Sequence, residues 1–271
     1  MEITFLGTAA AEGYPAPFCR CENCEEARRR KGRSLRLRSS LLINNDLLID
    51  FSDIIAASSF YGVDLSRVET LLVTHPHPDH LYAEQFFLHA YPFARTDVPV
   101  LDVYGSRETI DLIPERCETL LDRCKVELNV VQAGDSWTKG RYQFHSFRAT
   151  HGTTEPLLYA VDDGERSLLY STDTGRYQPE TWAAIKMHTY DIVIMDETMG
   201  TIPTDDTSSH MGIDAVVAYR QAFEVEGLLR PGARFIAHHF SHGANPCYEQ
   251  LVEMLEPHGV DVAYDSWRLK I

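Results

Sequence analysis

Residues 74–80 read THPHPDH, and the two prolines, Pro76 and Pro78, forbid a regular helix there. Three of the chain's 12 histidines sit in this one segment of a 271-residue sequence. The residues just before it, RVETLLVTH, are apolar and rich in Val and Leu, the pattern of a buried strand ending at Thr74 or His75. His75, His77 and His80 are therefore expected on an irregular loop at a strand's C-terminal end, where α/β proteins place chemistry.

Short apolar strands alternate with helical stretches along the whole chain. EITFLG (2–7) opens it, and SLLINNDLLIDF (40–51) reads as a hairpin turning at Asn45-Asp46. Strands follow at 70–75 and 98–105, then a helix over 107–124 that Pro114 should kink or restart. VELNVV, YQFHSFRATH, LLYAVDD and RSLLYSTD read as one meander, with turn signals at Lys139-Gly140 and Asp163-Gly164. Helices near 178–188, 211–229 and from about 246 alternate with strands at 191–197, 233–239 and VDVAY. Repeats, low-complexity segments and linkers are absent from the sequence, so one α/β domain over residues 1–271 is expected.

Bulk numbers exclude several classes. The hydrophobic fraction of 44% and charged fraction of 24% are ordinary for a soluble protein. No apolar run approaches a membrane span, and the N-terminus lacks a basic segment followed by an apolar core. Neither membrane association nor a signal peptide is expected, and the expected location is cytoplasmic. A formal charge of −15 opposes attraction to nucleic acid. The exception is Arg28–Arg38, RRRKGRSLRLR, with seven basic residues. It reads either as a solvated helix end and loop or as a phosphate-facing patch.

Six cysteines are an even number, but the chain is too long to need disulfide staples. Cys19, Cys21 and Cys24 lie within CRCENC, too close for three disulfides and well spaced to share one metal. Cys117 and Cys124 read as ordinary core thiols, and Cys247 at a helix start is left open.

The histidine loop gains meaning beside His151, Asp173 and His239, each at the C-terminal end of a predicted strand. One sheet rim can gather such positions. Five histidines and two aspartates placed this way are hard to explain by packing, because buried unpaired polar groups cost several kcal/mol. Imidazole is the commonest neutral metal ligand, and a carboxylate can bridge two cations. Such a pair lowers the pKa of a shared water toward ~7 and stabilises a phosphoryl oxygen, which suits hydrolysis.

HPHPDH resembles the H-x-H-x-D-H signature of the metallo-β-lactamase superfamily, whose fold is an αββα sandwich of two mixed β-sheets flanked by helices. The resemblance covers essentially the whole chain. It implies that His75, His77 and His151 hold one divalent metal, that Asp79, His80 and His239 hold a second, and that Asp173 bridges them. Asp50 in LLIDF matches a family aspartate that orients a ligand. Zn, Mn and Fe all suit this dinuclear set.

The N-terminal GTAAAEGYPAPFCRCENC is similar to the opening of the PhnP-type cyclic phosphodiesterases. That likeness implies a structural zinc held by Cys19, Cys21, Cys24 and His242 in the loop near 19–24, with Cys247 as a lesser substitute for His242. It also implies that His210, in DDTSSHMGIDAV, acts as general acid; the plainer reading is that His210 caps the helix after it. Asp79 and His210 are thus the expected catalytic residues. Asp196 and Glu197 are taken as loop residues or partners of ligands.

The expected function is a metal-dependent phosphodiesterase acting on a small phosphate ester, cyclic esters included, with no nucleic-acid partner. The alternatives are an acyl hydrolase acting on a lactone or thioester and a non-catalytic accessory protein of the PqqB type, whose cysteine-rich opening is also similar. A redox diiron role is disfavoured, because that branch has Glu where this chain has His77. Oligomeric state, a homodimer included, is open.

Overall fold

The computed structural model describes residues 1–152 and 155–271. Its first half builds a sheet from β1 (Glu2–Gly7), β2 (Ser40–Ile43), β3 (Leu47–Ile49), β4 (Thr70–Leu72), β5 (Leu101–Gly105) and β6 (Val126–Val130). The short β14 (Arg268–Lys270) returns to pair antiparallel with β1, completing the order β14-β1-β2-β3-β4-β5-β6. The β2–β3 hairpin turns through Asn44 and Asn45, both at positive φ. Asparagine tolerates this conformation better than most residues.

The second sheet contains β7 (Ser136–Lys139), β8 (Tyr142–Arg148), β9 (Leu157–Asp162), β10 (Ser167–Ser171), β11 (Tyr190–Asp196), β12 (Leu229–His238) and β13 (Asp261–Val262). Its order is β13-β12-β11-β10-β9-β8-β7, antiparallel from β7 to β10 and parallel from β10 to β13. Both sheets are mixed.

The period-2 geometry of strands explains the layering. Ile3 and Phe5, Leu41 and Ile43, and Leu47 and Ile49 face inward and join one core with Phe144, Tyr159, Leu169 and Val193 of the second sheet. Their neighbours Leu6, Leu42, Leu48, Leu71 and Val103 point the other way. There they meet Ile54 and Ala57 of α2 (Ile54–Tyr61) and Ile110 and Ile113 of α3 (Arg107–Cys117). α5 (Ile213–Val225) and α6 (Tyr248–Leu255) cover the second sheet through Ala215, Val216, Phe223, Leu251 and Leu255. Central strands buried on both faces have to be apolar throughout, as these are. No helix among the described residues is long and apolar enough to cross a membrane.

Three expectations are corrected. The segment VELNVV does not open the meander: β6 lies parallel to β5 at the edge of the first sheet. α3 connects the two as a crossover, and alternation alone cannot say which sheet an edge strand joins. The meander begins instead at β7. Pro114 does not restart the helix, which runs through it to Cys117 and then tightens into 3₁₀ turns over Glu118–Arg123. Buried Ile110, Ile113 and Cys117 hold the turns on either side of Pro114 against the sheet. The 70–75 strand stops at Leu72, because from His75 onward the backbone is given over to the loop.

Phe144 joins the layers. It is fully buried, stacks on Trp137 at 5.2 Å between ring centroids, and faces Tyr104 of the opposite sheet at 6.5 Å. Phe144→Ala is expected to destabilise the fold by about 3–5 kcal/mol. Equilibrium urea unfolding of wild type and variant measures it.

Candidate metal centre

The candidate residues come from the rims of both sheets, not from one. Asp50 follows β3 and His75–His80 follow β4 in the first sheet; His151 follows β8, Asp173 follows β10 and His239 follows β12 in the second. Strand C-terminal ends from the two sheets thus converge at one edge of the sandwich. Asp50, Asp173 and His239 adopt positive φ (63°, 58° and 66°), a conformation uncommon for side-chain-bearing residues.

Three groups of side chains here have ligand atoms within 4.8 Å of one another: His75, His77, His151 and Asp173; Asp79, His80, Asp173 and His239; and Asp173, Asp196, His210 and His239. Asp173 belongs to all three. Its Oδ2 is 3.0 Å from His75 Nε2 and 3.1 Å from His80 Nε2, and its Oδ1 is 3.3 Å from His151 Nδ1. Ring nitrogens also face ring nitrogens. His77 Nδ1 stands 2.9 Å from His75 Nε2 and 3.3 Å from His151 Nε2, and His80 Nε2 stands 3.3 Å from His239 Nε2. Facing ring nitrogens in a buried site can share one proton or, without it, one electrophile. Among the described residues Asp173 Oδ1 makes no hydrogen bond of good geometry, although His210 Nδ1 and His151 Nδ1 stand 3.0 and 3.3 Å from it. This donor set fits divalent cations.

A ring of partners fixes the donors. Asp50 Oδ2 lies 2.7 Å from His80 Nδ1, while its Oδ1 accepts from the Thr74 amide and hydroxyl, each at 2.9 Å. Thr198 Oγ1 is 2.8 Å from His239 Nδ1. With one ring nitrogen tied back, the other is presented to the centre.

Asp196 carries more of the site than the sequence suggested. Its carboxylate accepts from the amides of Asp173 (2.9 Å), Thr198 (3.1 Å) and Met211 (2.9 Å), and from His210 Nδ1 at 3.4 Å. It thereby ties together the Asp173 turn, the Thr198 loop and the His210 loop. The signal was present: Asp196 ends an apolar strand, the same criterion that singled out Asp173. Glu197 is fully buried, and that burial, then the neighbouring Asp196, keeps its carboxyl well above the usual range.

His210 does not cap a helix. The cap of α5 is Gly212, and no side chain bonds there. His210 Nδ1 instead stands 3.0 Å from Asp173 Oδ1. Gly175 permits this approach, since a Cβ there would lie 1.8 Å from the Ser208 carbonyl oxygen. Burial opposes charge on His210 but is outweighed by Asp173 and Asp196, which raise its pKa to about 10. Burial, reinforced by His80, pushes His75 down to about 4. For His80 burial is again outweighed, by Asp50 and Asp79, and its pKa rises.

A second cluster lies apart. Cys19, Cys21, Cys24 and His242 also converge within 4.8 Å, with Cys21 Sγ 3.4 Å from His242 Nδ1. Cys247 is not in this group: it is buried beside Ala9, Tyr14 and Ala27. Arg28 clamps the cysteine loop, donating to Cys19 O at 2.7 Å and Ala16 O at 2.8 Å. The rest of the basic run is largely structural. Arg29 and Arg30 pair with Glu26, Arg33 lies over Tyr264, and Arg36 is buried. Arg38, paired with Asp53, reaches the histidine loop at Pro78.

Residues 51–240 match the model of the β-lactamase superfamily domain. The chain belongs to the metallo-β-lactamase superfamily. The whole chain superposes on a diphosphatase of the PhnP family with a TM-score of 0.78 and 22% identity, covering 97% of that structure. Zn(2+)-bound PqqB from Methylobacterium extorquens gives 0.77 and 17%, over the full length of both. At such identities the likeness is one of fold. Ribonuclease J of Mycobacterium tuberculosis is 34% identical over 110 residues, which are 40% of this chain but 18% of that enzyme. The fold and family are those of metal-dependent hydrolases.

The raised His210 has a consequence for the metal-free protein. A folded-state pKa of about 10 against an ordinary 6.5 gives stability that is fully present below pH 6.5 and lost as pH rises through about 10. With chelator present, the melting-temperature advantage of wild type over His210→Gln should therefore shrink between pH 6.5 and 10. Thermal melts of both proteins across that range check it.

Proposed function

We propose that the protein is a metal-dependent phosphodiesterase acting on a small phosphate ester. The observation that carries this reading is the position of His210 at the edge of the candidate metal cluster, with its Nδ1 facing two carboxylates. His210 Nδ1 is engaged by Asp173 and Asp196. In the imidazolium both nitrogens carry protons, so Nε2–H is the one left to give. An alkoxide leaving from phosphorus needs such a donor.

In this reading His75, His77 and His151 hold one cation, Asp79, His80 and His239 the other, and Asp173 lies between them. When bound, such cations supply Lewis acidity and a nucleophile from water at neutral pH. The chain's own residues do the rest. Asp50 and Thr198 orient His80 and His239, Asp196 aims His210, and the two sheets exclude bulk water from the cluster. The net charge of −15 favours a compact substrate over a nucleic acid. The likeness to PqqB supports the second reading, an accessory role without turnover.

The protein, loaded with Mn or Zn, is expected to hydrolyse bis(p-nitrophenyl) phosphate and a small nucleoside cyclic phosphate. Asp173→Ala should abolish the activity. His210→Ala should lose roughly 10²–10⁴-fold in kcat, less for good leaving groups, which need less protonation. Hydrolysis of a thioester or lactone alone moves the assignment to acyl transfer, and no turnover at all moves it to the accessory reading.

Cys19, Cys21, Cys24 and His242 are proposed to hold a closed structural zinc, for which three sulfurs and one nitrogen are a suitable set. Cys21→Ser should lower zinc content and melting temperature together. Unchanged values of both, by elemental analysis and thermal melts, remove the site.

A further inference from the structure

Beside the candidate metal centre lies an open cleft of about 610 Å³, lined by Glu12, Ala16, Phe18, Arg38 and Asp53 among others. Arg38 is the wall the two share. Its Nη1 donates to the Pro78 carbonyl at 3.2 Å, in the loop that carries His77 and Asp79. Its Nε and Nη2 bind the Asp53 carboxylate at 3.1 and 2.6 Å. A guanidinium has five N–H groups, so Nη1 and Nη2 each keep one further N–H beyond these contacts.

Phe18 is fully exposed. Single exposed apolar side chains are ordinary on protein surfaces, but this one is presented by an anchored loop. Arg28 grips the backbone on both sides of it, at Ala16 O and Cys19 O, and Cys19 N closes a turn onto Ala16 O at 3.2 Å. An aromatic face on a fixed loop is ready for a flat partner, because little loop freedom remains to be lost on binding. The charge of the cleft narrows the choice. Asp53 already neutralises Arg38, and Glu12 adds a further carboxylate whose Oε1 accepts from Ser241 Oγ at 2.5 Å. A second anionic group would be repelled here, whereas hydroxyl or amino donors would be welcomed.

We propose that this cleft binds the uncharged second arm of the phosphodiester, a nucleoside. Its base stacks on Phe18, its sugar hydroxyls face the Glu12 and Asp53 carboxylates, and an Arg38 N–H meets a phosphate oxygen at the boundary with the metal centre. The volume is in the range of small-ligand sites. The proposal rests on the phosphodiesterase reading, and the test separates the two.

Metal-loaded wild type, Phe18→Ala and Phe18→Tyr are assayed on thymidine 5′-(p-nitrophenyl phosphate) and on methyl p-nitrophenyl phosphate, which share a leaving group. Wild type should prefer the nucleoside ester. Phe18→Ala should reduce that preference, the ratio of the two kcat/KM values, by roughly ten-fold, as loss of one base–aromatic stack implies. The change should lie mainly in KM, and Phe18→Tyr should restore it. No preference in wild type, or a ratio in Phe18→Ala within about two-fold of wild type, overturns the nucleoside site while leaving the phosphodiesterase assignment standing. Hydrolysis of neither ester removes that assignment instead. Calorimetric titration with thymidine 5′-monophosphate then decides the cleft by itself: weaker binding to Phe18→Ala than to wild type supports it, and equal or absent binding overturns it.

Discussion

The structure turns on one carboxylate. Asp173 sits in a left-handed turn with its oxygens within 3.3 Å of nitrogens from His75, His80, His151 and His210. Buried at 3% exposure, it would be held far from its preferred hydration were those imidazoles absent. They in turn would lose the carboxylate they share were it absent. Burial raises the carboxyl's pKa, but His239, His210, His75 and His80 more than reverse that and hold Asp173 ionised. Everything around it serves to keep this arrangement in place. Asp196 fixes its backbone, Gly175 makes room for His210, and Asp50 and Thr198 lock the rings on either side.

Much of this was legible in the sequence for a simple reason. A ligand at a strand's C-terminal end leaves a local mark, an apolar run followed by a polar residue that packing does not require. His75, His151, Asp173 and His239 all carry it. The superfamily signature then set their order. Asp196 carried the same mark, but its neighbours in IMDET match no motif, which left it between a loop residue and a partner of ligands. Its role depends on donors at Asp173, His210 and Met211, 23, 14 and 15 residues away, which no local pattern records.

The fold was legible to the same depth. Most strands and helices followed from periodicity, and the asparagine turn marked the β2–β3 hairpin, but α2, β7 and β14 are too short or too polar to stand out. What failed was sheet membership: β6 has the look of a meander strand, and only the crossover through α3 assigns it to the first sheet. The basic run was legible only in part. Seven like charges in eleven residues fit a solvated helix end and loop or a phosphate-facing patch, and a helix does end at Arg30, yet Arg28 clamps a loop, Arg33 covers a tyrosine, Arg36 is buried and Arg38 reaches the histidine loop. Composition counts charges, but burial and partners decide what each one does.

The donors divide between the two sheets, His75, His77, Asp79 and His80 on one and His151, Asp173 and His239 on the other. A cation held by donors from both would act as a clasp across the seam of the sandwich, and its affinity would contain part of the cohesion of the two layers. Loosening the layers anywhere along their length, even at the far end of the core, would then loosen the grip on the ion. Conversely, metal supply would become a control on how rigid the whole molecule is.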